Sequence, residues 1–179
     1  MKYFLFLFCL IFFSCKNSPE INSDFDTKLA NESNQLITNF STHIIPNPKT
    51  QAEKDQNTIV DYATEKSLGL KRSLSGMYYQ IIEPGEGVAP KGNSKVSAHY
   101  EGQLLDGTIF DSSYQRGEPL QFNLKQVIRG WQEALKMLKP GGKGLFLIPS
   151  RLAYGKQGFG TSIPPDAVLL FKIELLEVK

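Results

Sequence analysis

The segment from Val96 to Leu104 constrains the fold most strongly, because apolar and polar residues alternate along its whole length. A period of two is typical of a β-strand with one buried face and one face toward water. Asp106-Gly107 follows at once and is a dipeptide typical of tight hairpins. Residues 108–111 then begin the returning strand, so the segment predicts an antiparallel sheet.

The rest of the C-terminal region repeats this pattern with one exception. Further strands are predicted at 77–82, 120–124, 144–149 and 167–178. Residues 130–138 have helical spacing instead, and Pro140 with two glycines ends that helix. The residues predicted to face inward from it are Trp131, Ala134, Leu135 and Leu138. Many antiparallel strands and one short helix predict an α+β domain over residues 76–179, in which the sheet wraps around the helix.

Three segments are candidates for a binding pocket. They are Val127 to Trp131, Ala153 to Gly155, and Ser162 to Phe171. Apolar and aromatic residues dominate them, and the few polar tips nearby are Tyr100, Asp111 and Tyr154. An apolar pocket with few polar groups suits an apolar ligand that carries one carbonyl to orient. A prolyl ring and the amide before it fit that description.

Residues 76–179 resemble an FKBP-type peptidyl-prolyl cis–trans isomerase domain. The matching motifs keep their order and spacing over most of this region. They are His99-Tyr100-Glu101-Gly102, Asp106-Gly107-Thr108-Ile109-Phe110-Asp111-Ser112-Ser113, Val127-Ile128-Arg129-Gly130-Trp131, Pro140-Gly141-Gly142, Leu152-Ala153-Tyr154-Gly155 and Ile163-Pro164-Pro165. The resemblance implies an antiparallel sheet of five or six strands wrapped around one short helix.

The resemblance also implies a role for each residue at a matching position. Tyr100, Asp111, Trp131 and Tyr154 would be catalytic, with Trp131 as the floor under the prolyl ring and Asp111 and Tyr154 as a polar rim. The Ile128 N–H would meet a substrate carbonyl. The substrate-binding residues would be Phe110, Leu120, Val127, Ile128, Phe159, Ile163 and Phe171. Leu120 and Phe159 stand where the best-known human member has Phe and His, which leaves macrolide affinity and sequence preference open.

The first residues read as an export signal. Lys2 is followed by a short apolar run, Tyr3 to Phe13, which is too short to span a bilayer. Ser14-Cys15 resembles the lipobox of bacterial lipoproteins, which predicts a signal peptide at 1–14 and a diacylated Cys15. Phe12-Phe13 departs from that pattern, and the alternative is an ordinary cleaved signal with an incidental Cys15. Two acyl chains would satisfy the requirement for a stable anchor.

Residues 15–75 are predicted to be a tether and a partly helical extension. One helix is predicted at 24–40 and another at 50–67, where Thr50 and Glu53 form a capping box and Gly69 ends the helix. The residues predicted to share a face of the second helix are Ile59, Tyr62, Ala63 and Lys66. A mobile spacer is the alternative for the whole segment.

Several function classes are disfavoured by the composition. Twenty basic and 18 acidic residues give no strong field for nucleic acid. His43 and His99 are far apart and no Cys/His cluster has metal-ligand spacing, so no metal or other cofactor is expected. Cys9 would be lost with the signal, which leaves no pair for a disulfide.

Three functions remain after these exclusions. The first is a lipid-anchored isomerase that acts on proline-containing exported polypeptides, with a macrolide as a second ligand. The second is a binding module with incidental catalysis. The third is a structural component of an envelope machine, since the layout resembles the gliding-motility-associated isomerase lipoproteins of Bacteroidota. Lys16 does not resemble the Asp that retains lipoproteins in the inner membrane, so the outer membrane, facing the periplasm, is expected.

Overall fold

One antiparallel sheet organises residues 43–179, the part of the chain that the computed structural model describes. Its order is β1-β2-β6-β7-β3-β4, and β5 also pairs with β3. The strands are β1 (Lys71–Arg72), β2 (Tyr78–Glu83), β3 (Lys95–Leu104), β4 (Ile109–Ser112), β5 (Leu120–Asn123), β6 (Lys143–Ile148) and β7 (Leu169–Val178). The α+β class is confirmed. The predicted five or six strands become seven, because the two-residue β1 pairs at the edge and is too short to show a period.

Within residues 43–179, three α-helices accompany the sheet. They are α1 (Gln51–Glu65), α2 (Ser113–Arg116) and α3 (Arg129–Lys136). Short 3-10 turns lie at Leu124–Gln126, Ser150–Leu152 and Gly155–Gln157. No helix within residues 43–179 is long and apolar enough to cross a bilayer.

Strand β3 brings distant parts of the chain together because it pairs with three other strands. It runs beside β7 along its length, with Tyr100 opposite Ile173. On its other side, Gly102 lies opposite Asp111 of β4 and Ala98 lies opposite Leu120 of β5. Residues from β3, β4 and β5 therefore meet around the middle of β3.

Helix α3 lies against the inner face of the sheet. The four residues predicted to face inward are buried and pack against alternate residues of β7, although Leu138 lies beyond the end of the helix at Lys136. The first turn of α3 can rest on β6 only because position 130 is glycine. A Cβ on Gly130 would lie 2.3 Å from Cγ2 of Ile148. Burial of this apolar interface is the main favourable contribution to folding here.

Helix α1 covers the opposite face of the sheet. Its buried apolar residues join residues of the strands and loops in one group, which we call the outer cluster. The outer cluster contains Ile59, Val60, Ala63, Leu70, Tyr78, Leu145, Leu147, Val168 and Leu170. Residues 51–72 are thus packed on the sheet and do not form a spacer over this range.

The start of α1 was predicted correctly. The Thr50 hydroxyl accepts from the Glu53 N–H at 3.2 Å, and Glu53 accepts from the Thr50 N–H at 2.8 Å. The predicted face was wrong in part, because Val60 is buried while Lys66 is exposed and bonds Glu65.

The predicted end of α1 was also wrong. The helix stops at Glu65, because Ser67 adopts a left-handed φ of 53°. The Leu68 N–H then donates to the Ala63 carbonyl at 2.8 Å and the Ser67 N–H to the Thr64 carbonyl at 3.2 Å, which are the two hydrogen bonds of a Schellman motif. Glycine is the usual residue in that conformation, so the sequence pointed to Gly69 instead.

Strand β5 differs from the prediction by one residue. Leu124 was predicted to extend the strand, but it begins a 3-10 turn because the Asn123 side chain accepts from the Lys125 N–H at 3.0 Å. The predicted signal peptide, Cys15 and the helix at 24–40 lie outside the described residues. The domain boundary at residue 76 stays a prediction.

Candidate active site

A cavity of about 330 Å³ opens beside α3 on the inner side of the sheet. It is lined by Tyr100, Phe110, Asp111, Leu120, Gln126, Val127, Ile128, Trp131, Tyr154, Phe159 and Phe171. Every residue predicted for the site lines it except Ile163, and Gln126 was not predicted. The three candidate segments therefore meet in space.

Trp131 lies at the centre of the aromatic residues around the cavity. Its indole is only 4% exposed, and it meets the rings of Tyr100 and Phe171 edge-on at 4.8 and 5.3 Å between centroids. Phe122 packs against the same indole at 5.5 Å. Edge-to-face packing of this kind fixes ring orientation, so the indole provides a rigid apolar surface.

One wall of the cavity depends on a glycine. Phe110 and Phe171 meet edge-to-face, with centroids 5.6 Å apart. Gly102 on β3 lies beneath this pair, and a Cβ there would approach Phe171 to 2.6 Å and Phe110 to 2.7 Å. The missing side chain is what allows both rings to lie close to the strand.

The segment before α3 supplies backbone groups at the cavity. Ile128 is the N-cap residue of α3, and its side chain makes no capping hydrogen bond. The Val127 carbonyl accepts from Nε2 of Gln132 at 2.8 Å. Within residues 43–179 the Ile128 N–H has no hydrogen-bond acceptor, so this donor is available to a ligand.

Tyr100, Asp111 and Arg116 form a hydrogen-bonded triad at another side of the cavity. The Tyr100 hydroxyl donates to Asp111, and Arg116 donates to the other carboxylate oxygen of Asp111. Arg116 also donates to the Tyr100 hydroxyl at 2.8 Å, and its guanidinium lies 5.4 Å from the centroid of the Tyr100 ring. The Asp111 carboxylate is therefore held at both oxygens, which makes it a fixed charge at the rim.

The two tyrosines of the site differ in whether the hydroxyl is still free to donate a hydrogen bond. Burial and, secondly, the hydrogen bond to Asp111 raise the pKa of Tyr100 to about 12. Burial followed by the negative charge of Asp111 also raises the pKa of Tyr154. The Tyr100 O–H already donates a hydrogen bond to Asp111, whereas the Tyr154 hydroxyl makes no hydrogen bond within the described residues. Of these two residues, only Tyr154 has a donor left for a ligand.

The loop after β6 carries Tyr154 and Phe159. Their rings lie 4.9 Å apart, and Phe159 is 62% exposed at the rim. Ile163 was predicted to contact substrate but is 4% exposed in the inner core. It exchanges two backbone hydrogen bonds with Phe159, at 2.9 and 3.1 Å, so it supports the loop from behind the cavity wall.

Sequence reasoning missed Arg116 and Gln126. Arg116 lies at the end of the one-turn helix α2, which Ser112 caps by accepting from Gln115 N–H. A Ser cap followed by a helical turn would have returned the guanidinium toward Asp111, so the signal was present in Ser112 to Arg116. Gln126 belongs to the capping box of the 3-10 turn, and no sequence pattern marked it as a lining residue.

The site can bind an apolar group and orient a carbonyl. The carboxylate in its lining, Asp111, already accepts hydrogen bonds from Tyr100 and Arg116. No cluster of three His, Cys, Asp or Glu residues that could hold a metal ion occurs in residues 43–179. Free donors at the cavity include the Ile128 N–H and the Tyr154 hydroxyl, and the lining is otherwise chiefly aromatic and aliphatic.

Comparison with known proteins decides the family. The family described as FKBP-type peptidyl-prolyl cis-trans isomerase matches residues 86–176, about half of the chain. The chain belongs to this family. The predicted resemblance is therefore confirmed, and the cavity lies within the matched FKBP region.

Individual relatives agree with the FKBP assignment. The chain is 52% identical over 118 residues to the FKBP-type isomerase FkpA of Escherichia coli K12, covering 66% of this chain and 43% of that protein. It is 45% identical over 117 residues to the isomerase Mip of Coxiella burnetii, covering 65% of this chain and 51% of that protein. The chain thus spans about half the length of these curated relatives.

A solved structure shows the same fold over most of the chain. The crystal structure of FkpA from Escherichia coli matches with a TM-score of 0.65 and 41% identity, covering 92% of this chain and 74% of that one. The isomerase of Pseudomonas syringae matches with a TM-score of 0.63 and 34% identity, covering 75% of this chain and 99% of that one.

Proposed function

We propose that this chain catalyses the cis–trans isomerisation of X-Pro bonds in polypeptides. The observation that carries the proposal is the aromatic cavity above Trp131, which is large enough for a prolyl ring and has the free Ile128 N–H and Tyr154 hydroxyl at its edge. Membership of the FKBP family supports the same activity.

The reaction requires rotation about one bond and no proton transfer. The barrier of about 18–20 kcal/mol comes from conjugation within the amide, while cis and trans X-Pro forms differ by only about 0.5–1 kcal/mol. A catalyst therefore needs to stabilise the twisted amide, in which conjugation is lost. An apolar cavity replaces the water that solvates the planar, charge-separated form by a fixed environment.

Each polar group has a proposed part in that stabilisation. Trp131 receives the prolyl ring, while the Ile128 N–H and the Tyr154 hydroxyl hold carbonyls on the two sides of the rotating bond. Asp111, fixed by Tyr100 and Arg116, presents a charge that does not need to reorganise as the amide twists. Phe110, Val127 and Phe171 form the walls that exclude water.

The rim sets ligand preference in this proposal. Leu120 and Phe159 are both apolar, and Phe159 extends over the edge of the cavity beside Tyr154. An apolar rim favours clients with an apolar residue beside the proline, and it favours a macrolide that buries hydrocarbon there. Macrolide binding is therefore part of the proposed function.

We also propose that the chain works in the cell envelope on exported polypeptides. The charged start, the apolar run from Tyr3 and the Ser14-Cys15 pair support export and a lipid anchor at Cys15. Lys16 supports an outer-membrane location facing the periplasm. The alternative of a binding component in a gliding-motility machine, with incidental catalysis, is supported by the layout of signal, extension and FKBP region alone.

A protease-coupled isomerisation assay on the purified full chain tests the activity. We expect catalysis of exchange in an X-Pro peptide, and inhibition by an FKBP-directed macrolide. Asp111→Ala is expected to lower kcat/KM by roughly tenfold, which corresponds to a loss of about 1.4 kcal/mol of transition-state stabilisation. Trp131→Leu is expected to lower it as well while keeping an apolar side chain at the floor.

The control is Asp61→Ala, which removes an exposed carboxylate from α1 on the other face of the sheet. We expect this variant to retain the wild-type rate. Full activity in both Asp111→Ala and Trp131→Leu would refute the assignment of the cavity as the catalytic site. A wild-type chain that binds X-Pro peptides without accelerating exchange would favour the binding component instead.

A further inference from the structure

A buried carboxylate ties α1 to the loop that carries Tyr154. Asp55 is only 2% exposed. Its Oδ2 accepts from the Ser150 N–H at 2.8 Å and from the Ser150 hydroxyl at 2.7 Å, and its Oδ1 accepts from Nε2 of Gln51 at 2.7 Å. Asp55 and Ser150 are 95 residues apart in sequence, so this contact joins two remote segments of the chain.

The carboxylate caps a 3-10 turn from outside. Ser150 is the first residue of the turn Ser150–Leu152, and the first N–H groups of a helical turn have no partner within it. Pro149, the N-cap residue, makes no side-chain cap. An ionised acceptor makes a stronger hydrogen bond to such an N–H than a neutral one does. Asp55 therefore supplies the cap that the local sequence lacks.

The capped turn leads directly to Tyr154. The Ala153 N–H donates to the Ser150 carbonyl at 2.9 Å, and Leu152 is buried in the inner core. Tyr154 then follows, with a hydroxyl that no described residue holds. The position of that hydroxyl is consequently set by the backbone on which the side chain stands and by ring packing with Phe159.

Because the Asp55 carboxylate is buried, it is stable only while its hydrogen bonds to Ser150 and Gln51 are kept. Burying a charge without partners is costly, so movement of the turn away from α1 would leave Asp55 without its Ser150 donors. The pair is thus a stiff connection between the helix on the outer face and the loop at the cavity. The three contacts of Asp55 are all short, and each joins α1 either to itself or to Ser150.

We propose that Asp55 is a positioning residue for Tyr154, and that α1 is a brace for the catalytic loop. This inference rests on the proposed isomerase function and names a residue outside the cavity that the reaction needs. Small displacements of a group that acts on the transition state have large effects on rate. Loss of the brace should therefore reduce kcat more than it changes KM.

The test is Asp55→Asn in the full chain. The amide keeps the size of the side chain but has one acceptor oxygen, and its NH₂ group can accept nothing. Placed at the Oδ2 position, that oxygen meets both Ser150 donors without the negative charge, so both hydrogen bonds are weaker, and the NH₂ group faces the Nε2 donor of Gln51. We expect kcat to fall about tenfold with KM within about twofold of wild type. Asp61→Asn makes the same chemical change on an exposed position of α1 and is expected to leave both constants unchanged.

A double-mutant cycle separates positioning from a general loss of structure. If Asp55 acts through Tyr154, Asp55→Asn should have no further effect on kcat in a Tyr154→Phe chain, because the positioned hydroxyl is already gone. Additive effects of the two substitutions would overturn the inference. Unfolding in urea, measured for each variant, ensures that rates are compared among folded chains.

Ser150→Ala provides a second variant if Asp55→Asn does not fold. It removes one donor and leaves the Ser150 N–H, so we expect a smaller fall in kcat that is again absent in Tyr154→Phe. Amide hydrogen exchange supplies a readout without activity: residues 150–157 should exchange faster in Asp55→Asn than in Asp61→Asn. Unchanged exchange there would overturn the brace, whereas an inactive wild-type chain would refute the proposed function instead.

Discussion

Two tyrosines at one cavity differ in hydrogen bonding because their neighbours differ. Tyr100 donates to Asp111 and accepts from Arg116, so its hydroxyl is saturated by protein groups. Tyr154 is half-buried and has no such partners within the described residues. In the proposed mechanism, this difference in hydrogen bonding gives Tyr100 the part of holding Asp111 and leaves the Tyr154 hydroxyl for the ligand.

The raised pKa of Tyr100 predicts how this residue titrates in the folded chain. An unfolded tyrosine ionises near pH 10, whereas the pKa of Tyr100 is raised to about 12 in the folded chain. Because folding favours the protonated form, its contribution to stability is fully present below about pH 10 and is lost as pH rises toward 12. We expect the phenolate absorbance of the wild type to include a late component that Tyr100→Phe lacks. A Tyr100 that ionises near pH 10 in the folded chain would contradict the triad.

Strand β3 shows how one element organises the site. It carries Tyr100, lies opposite both Asp111 and Leu120, and provides at Gly102 the space for the Phe110 and Phe171 rings. A strand that serves several walls at once makes the cavity sensitive to any change in its side-chain volume.

Gly102→Ala tests that role of the strand. The added Cβ would lie 2.6 Å from Phe171 and 2.7 Å from Phe110, so one ring must move into the cavity. We expect the free energy of unfolding to fall by about 1–3 kcal/mol, as is usual for overpacking, and KM for an X-Pro peptide to rise. Gly92→Ala is the matched control, since a Cβ there meets nothing within 4 Å. Equal stability and KM in both variants would show that the wall does not need the glycine.

Elements with a local signature were predictable, and contacts between remote elements were not. The alternation of β3 and the capping box of α1 each lie within a few residues, so their pattern is visible in the sequence. The link from Asp55 to Ser150 and the closure of Arg116 on Tyr100 depend on how the sheet brings segments together. The place of Ile163, which is paired with Phe159 and does not line the cavity, depends on the folded loop in the same way.

At the scale of the whole molecule, the two faces of the sheet carry different elements. Its inner face holds α3 and the cavity, and its outer face holds α1, which continues from the N-terminal segment. The Ile45 N–H donates to Oδ1 of Asn57, and the Ile45 carbonyl accepts from Nδ2 of Asn57, at 2.9 Å each. These two hydrogen bonds attach the start of the described chain to α1. The proposed anchor at Cys15 would therefore be joined to the FKBP region through α1.

The proposed lipid anchor leads to a prediction for the intact cell. Cys15→Ser removes the thiol that the lipobox-like segment presents for acylation, so we expect the protein to leave the membrane fraction and lose labelling by a palmitate analogue. Cys9→Ser is the control, because that cysteine lies within the predicted signal and its loss should leave membrane association intact. A Cys15→Ser protein that still sediments with membranes would contradict the lipid anchor.

Exchange NMR on an X-Pro peptide, with the wild-type chain present in small amount, measures the central claim most directly. It follows the cis and trans proline signals without a coupled protease, while the single indole N–H signal reports on Trp131. We predict exchange cross-peaks between the two isomers on a sub-second timescale, against tens to hundreds of seconds without catalyst, together with a shift of the indole signal at saturating peptide. Absence of cross-peaks with an unmoved indole signal would contradict catalysis above Trp131.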